Sequence, residues 1–106
     1  MSQFSAFCPW DPSISIAVAA TVTATTLATS LPAGVTQNAE CYLFTNIGSN
    51  TVFFSWTNPS VTTSNGTPVL PNTAQTFKGP SAATAILYTI ASATGNTLYV
   101  TPGEGL

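Results

Sequence analysis

The sequence has no histidine and no arginine, Lys78 is its lone basic side chain, and its acids are Asp11, Glu40 and Glu104. Charged residues make up 4% of the 106-residue chain, against about 25% in ordinary soluble domains. Nucleic-acid binding requires a set of cations that neutralises phosphates, and one lysine does not supply it. A polybasic membrane anchor fails on the same count. Acid–base catalysis loses its commonest group with histidine, and no Ser-His-Asp or Cys-His set exists to assemble. The three acids stand far apart in the chain, so no catalytic, cofactor-binding or metal-ligating residue is assigned and no cofactor is expected. Two cysteines, Cys8 and Cys41, are too few for a disulfide framework, and without histidine they make no zinc site. They either pair or remain free thiols. The N-terminal "MSQFSAFCPWDPS" has neither the basic nor the apolar region of a secretion signal, so folding in a reducing cytoplasm, with free thiols, is the expectation.

Uncharged polar residues take the place of the missing charges. Threonine and serine supply 30 of the 106 positions, and the branched Cβ of threonine suits a pleated sheet. Strong helix formers are scarce. The length fits one domain with a modest core. The apolar stretch "ISIAVAATVTATTLA" is too short to span a membrane and alternates with period two, which reads as strand.

Residues 1–12 read as an extended arm, because Pro9 and Pro12 break regular structure and Phe4, Phe7 and Trp10 are large apolar groups with no periodic pattern around them. Such an arm either packs on its own domain or reaches for another. Residues 13–106 form the domain. Ile14, Ile16, Val18, Ala20, Val22 and Ala24 alternate onto one face, with a break or bulge expected around Ala19 and Ala20. "LPAG" at residues 31–34 is a turn. "CYLFTN" and "TVFFSWT" flank "IGSN", which reads as a hairpin with Gly48 and Asn50 supplying positive φ. In its second strand Val52, Phe54 and Trp56 face the core, leaving Phe53 outside and in need of cover. Residues 58–73 read as a polar loop with a turn at Ser64-Asn65-Gly66; the glycosylation-like Asn65-Gly66-Thr67 has only that physical content. A strand around Ala74–Phe77 ends at Gly79-Pro80 and leaves Lys78 solvated. "TAILYTIAS" places Ile86, Tyr88 and Ile90 on one side. A final hairpin through Ala93–Asn96 puts "TLYVT" inside a sheet, stopped by Pro102, Gly103, Glu104 and Gly105. Glu104 either closes that turn or sits at an oligomer axis or docking surface. Together these signals predict an all-β antiparallel β-sandwich, jelly-roll-like or immunoglobulin-like, with an extended N-terminal arm.

Three segments, "LFTNIGSNTVFFSWTN", "PVLPNTAQTFKGP" and the terminal "ATGNTLYVTPGEGL", resemble a family of small structural proteins of tailed bacteriophages. The resemblance extends over about two-thirds of the chain from Cys41 onward and is most specific at Tyr-Val-Thr-Pro-Gly-Glu-Gly; the N-terminal third shares only its Ser-Ile-Ser-Ile strand. Many proteins of this pattern carry an arginine where this chain has Ser55, so a role for that charge does not transfer. The resemblance implies a virion component without enzymatic activity, a head decoration or cement protein assembled in the host cytoplasm and placed on the outer capsid surface. Its partners would be the major capsid protein and copies of itself, as a homodimer or homotrimer, with neither nucleic acid nor membrane. Candidate contacts are Phe4, Phe7, Trp10, Phe53, Tyr99 and Glu104. The alternatives are a tail, neck or fibre module, or a carbohydrate or host-surface binder that stacks sugars on Trp56, Phe53 or Tyr99.

Overall fold

The computed structural model describes residues 8–9, 13–28, 41–80 and 84–104, with the side chains of Cys8, Pro9, Ala28, Thr84 and Glu104 left aside. Its strands are β1 (Cys8–Pro9), β2 (Ile14–Val18), β3 (Thr23–Ala28), β4 (Cys41–Asn46), β5 (Val52–Ser55), β6 (Thr67–Val69), β7 (Thr73–Lys78), β8 (Thr84–Ala91) and β9 (Asn96–Glu104). Sheet A has the order β2-β9-β4-β7, with the two-residue β1 continuing the line of β2 along β9; sheet B has the order β3-β8-β5-β6. All pairings are antiparallel, and they nest: β2 with β9, β3 with β8, β4 with β7, β5 with β6. That nesting is one long antiparallel ribbon rolled into two facing sheets, the jelly-roll topology. It settles the choice between the two expected sandwich types.

Rolling the ribbon explains where local reading of the sequence goes wrong. β4 and β5 do not form a hairpin, since each lies in a different sheet, and the same is true of β8 and β9. Both connections are arches that carry the chain across the sandwich. Neither Gly48 nor Asn50 adopts positive φ; among the described residues only Asn72 (57°) and Gly95 (100°) do. Gly48 is instead required by close approach, because a Cβ there would stand 2.9 Å from Asn96 Cβ. The alternating run divides, at the break expected near Ala19 and Ala20, into β2 and β3, which lie in opposite sheets and are separated by residues 19–22. Across that corner the inward parity switches. Ile16 and Val18 are buried in β2, whereas in β3 it is Leu27 that is buried and Ala24 is exposed. The polar segment 58–73 contains the short strand β6, and its turn forms as expected, with Gly66 N donating to Thr62 O at 3.0 Å and Thr62 N to Asn65 Oδ1 at 2.8 Å.

The chain does not stop at Pro102. β9 continues to Glu104, flanked on one side by β4 and on the other first by β2, opposite residues 96–100, and then by β1, opposite 103–104. Pro102 falls in the gap between those two flanking segments. A residue without an N–H is tolerated in a central strand where one side has no ladder bond to make. Of the arm, only Cys8–Pro9 lies among the described residues, and it pairs with the domain's own C-terminal strand. Cys8 and Cys41 stand beside Glu104 and Gly103 on opposite flanks of β9. Two strand spacings, roughly 9–10 Å, separate their Cα atoms, beyond the reach of about 7 Å that a disulfide allows. Cys41 is a buried free thiol.

The core is an aromatic cluster between the sheets. Phe44 meets Phe54 at a ring-centroid distance of 4.5 Å and Phe77 at 5.3 Å, and Tyr42 meets Trp56 at 4.9 Å. Leu27, Val52, Leu87, Leu98 and Val100, all fully buried, complete it. Tyr42 hydroxyl donates to Pro80 O at 3.2 Å. Gly79 lies against this cluster so closely that a Cβ would come within 2.7 Å of both Trp56 Cζ2 and Tyr42 Cε1. Gly79→Ala is therefore expected to cost about 1–3 kcal/mol of stability by overpacking, read as a lower urea midpoint at unchanged slope.

Burial pushes the Tyr42 hydroxyl's pKa above its ordinary value, and neighbouring Cys41 acts in the same direction. The folded state thus holds the phenolic proton more tightly than the unfolded chain, whose tyrosines titrate near about 10. Tyr42's contribution is complete below that pH and is lost as pH rises through the raised folded value. Wild-type stability should fall more steeply above about pH 10 than that of Tyr42→Phe. The variant should lose about 0.5–1.5 kcal/mol at neutral pH with the Pro80 hydrogen bond. Parallel alkaline curves for the two proteins would refute this.

Candidate docking surface

The alternation that buries Ala85, Leu87, Thr89 and Ala91 of β8 turns Ile86, Tyr88 and Ile90 to the outside of sheet B. Ile86 is 45% exposed. In β5, burial of Val52 and Phe54 leaves Phe53 and Ser55 on the same outer side. Registration then lines these residues up across the sheet. Phe53 lies between Ile90 and Pro68, Tyr88 between Ser55 and Ala24, and Ile86 beside Thr26. The cover that Phe53 requires comes in part from Pro68 and Ile90, one strand spacing away on either side. Among the described residues this face presents aromatic, aliphatic and hydroxyl groups and no charge. The outer side of sheet A differs: Ser15, Ala17, Thr45 and Thr97 predominate, with Tyr99 (38% exposed) between Ser15 and Thr45 and with exposed Lys78 at the end of β7.

A second apolar feature stands at one end of the sandwich, where residues 47–51, 70–72 and 92–95 are tied together. Ile47 and Leu70 are each 53% exposed there. Two buried asparagines hold them in place. Asn46 Nδ2 donates to Asn50 O (2.9 Å) and Val69 O (3.0 Å), while its Oδ1 accepts from Gly48 N (2.9 Å). Asn96 Oδ1 accepts from Asn50 N (3.2 Å), and its Nδ2 donates to Ala93 O (2.8 Å). Ile47 N donates to Thr97 O, and Ala91 N to Ala19 O of the β2–β3 corner. Buried amides satisfied in this way fix loops that would otherwise fray.

Of the contacts expected from sequence, Phe53 and Tyr99 occupy opposite outer faces and are not brought together. Phe4, Phe7 and Trp10 lie outside the described residues, as does the side chain of Glu104, whose backbone is a strand residue opposite Cys8 rather than part of a turn. Trp56 offers no stacking platform, because it packs inward on Tyr42, Phe44 and Phe54. Its Nε1 is buried without a hydrogen-bond partner among the described residues. Ser55 closes the turn after β5 by accepting from Thr57 N (3.2 Å) and Asn58 N (3.0 Å). Sequence reading placed Ile86, Tyr88 and Ile90 on one side without assigning that side to solvent, and it did not single out Ile47 or Leu70.

The topology and this surface define a small jelly-roll sandwich with one apolar, uncharged sheet face. Compared with models of protein families, with curated proteins and with solved structures, the chain matches none.

Asn46→Ala should remove three hydrogen bonds at the loop end and strand buried partners, costing about 2–3 kcal/mol. Amide exchange should accelerate at Gly48 and Asn50 more than in β8. Unchanged exchange at those two amides would show that Asn46 does not hold the loops.

Proposed function

We propose that this chain is a non-enzymatic structural protein of a tailed-phage virion, a capsid cement protein that docks on the major capsid protein through the outer face of sheet B and stabilises the head. The observation that supports the reading best is the alignment of Phe53, Ile86, Tyr88 and Ile90 on a charge-free face of a rigid sandwich. Ile86 is exposed and Phe53, Tyr88 and Ile90 are half-buried beside it, and a contiguous apolar face of this kind on a small domain marks an interaction surface. The resemblance of the segments from Cys41 onward supplies the class of partner.

The energetics allow it. An interface of ~1,600 Å², a little over half apolar, yields roughly 20 kcal/mol of gross gain at ~25 cal/mol per Å², most of it offset by rigid-body and side-chain ordering. A neutral face avoids the desolvation penalty of buried charge. Several copies joined in an oligomer would then act by avidity, so a modest single contact suffices.

Purified protein added to heads that lack it should bind saturably and raise their resistance to heat. Because no ion pairs are involved, the affinity should change little between about 0.05 and about 0.5 M salt. Ile86→Lys should weaken binding at least tenfold while the free protein's melting curve stays close to wild type. No binding to heads, or labelled protein found only on tails, would sink the cement reading; the tail result would favour a tail or neck module.

A further inference from the structure

A sandwich has four edge strands, and each exposes a row of unpaired backbone N–H and C=O groups that invites pairing with another chain. Three of the four edges here carry a blunting residue. In sheet A, β7 ends in exposed Lys78, and the β1–β2 edge carries Pro9 in β1 and is interrupted between Pro9 and Ile14, although the five residues of β2, ISIAV, hold neither charge nor proline. In sheet B, β6 is three residues long and has Pro68 at its centre. The fourth edge, β3, has none of these devices. Its sequence, TATTLA, is free of charge and proline, and its six residues pair with β8 in unbroken register from Thr23↔Thr89 to Ala28↔Thr84, so no bulge twists it away. Among the described residues nothing pairs with its outer edge.

We propose that β3 pairs with β3 of a second copy of this chain, antiparallel and about a two-fold axis. The geometry limits the register. An axis that makes two side-by-side strands antiparallel stands perpendicular to the sheet and keeps each face on its own side. Directly opposed residues must then point the same way, so the axis passes beside a residue rather than between two. Centring on Thr25 opposes Thr25 to its own copy and Ala24 to Thr26; centring on Thr26 opposes Thr26 to its own copy and Ala24 to Ala28. Both sets are small and uncharged, and Thr–Thr pairs are favourable across strands. Neither β3 nor β8 contains a charged residue, so joining identical edges brings no like charges together. The result is an eight-stranded sheet in the order β6-β5-β8-β3-β3-β8-β5-β6, with Ile86, Tyr88, Ile90 and Phe53 of both copies on one continuous outer face.

An edge of about 20 Å joined by backbone bonds alone covers less than the roughly 1,000 Å² of a durable interface, so the free dimer is weak and concentration-dependent. This contact is independent of docking to a shell, and it is tested on the free protein. Sedimentation velocity over a wide concentration range should show the mass rising from 10.9 kDa toward twice that value, with β3 amides gaining protection from exchange as dimer forms. Thr26→Lys, on an exposed position of β3, should weaken the dimer at least tenfold, and Ala24→Lys should do the same. Ala74→Lys, on the β7 edge, should leave it unchanged. Far-UV circular dichroism and melting establish that each variant is folded. A monomer at every concentration, a dimer indifferent to both β3 lysines, or equal loss with Ala74→Lys would each overturn the proposal.

Discussion

Phe44 of sheet A and Phe54 of sheet B touch edge to face across the middle of the sandwich, and the rest of the structure depends on that contact being made between sheets rather than within one. Strands that follow each other in sequence must lie in opposite layers for it to form. β4 cannot then turn back on itself into β5, and it takes β7 and β9 as neighbours instead. Phe77, Trp56 and Tyr42 gather around the same pair. Edge-to-face packing of this kind contributes beyond the buried area and adds to the burial of Leu27, Val52, Leu87, Leu98 and Val100 around it.

The arches that cross between layers create a problem of their own, since chain leaving one sheet for another abandons ladder hydrogen bonds. Asn46 and Asn96 meet this need. Each is fully or almost fully buried and spends its amide on backbone groups of the crossing loops. A short polar side chain serves here because it imitates a backbone turn. The close packing of Gly48 against Asn96 belongs to the same arrangement. The loops at this end are therefore tied to the sheets by these hydrogen bonds, and Ile47 and Leu70 are presented on them.

With the interior satisfied, what remains for recognition is the outside, and the two sheets divide that task unevenly. Sheet A exposes hydroxyls, Tyr99 and the one lysine, while the outer face of sheet B, uncharged among the described residues, sets exposed Ile86 among half-buried Phe53, Tyr88 and Ile90. β9 belongs to the scaffold: its Val100 and Leu98 are core residues, and its Pro102 fits a gap in pairing. The proposed contact surface lies on the other sheet.

The alternation of apolar and hydroxyl residues was enough to establish strands, their approximate limits, the inward set Val52, Phe54 and Trp56, and a two-layered antiparallel sandwich, because a period of two residues is a local property of pleated backbone. The break near Ala19 was legible for the same reason. Which strands are neighbours was not, since a Gly-Ser-Asn stretch serves equally as a hairpin turn or as an arch, and only the demand that both layers bury their faces together decides between them. That demand also reversed the parity of β3, made Asn46 and Asn96 interior residues, and separated Phe53 from Tyr99 on opposite faces. In TAILYTIA the bulky residues share one side, but whether that side meets core or solvent depends on where Leu87 and Ala91 find Val52 and Phe54, a fact of tertiary packing and of nothing shorter in range.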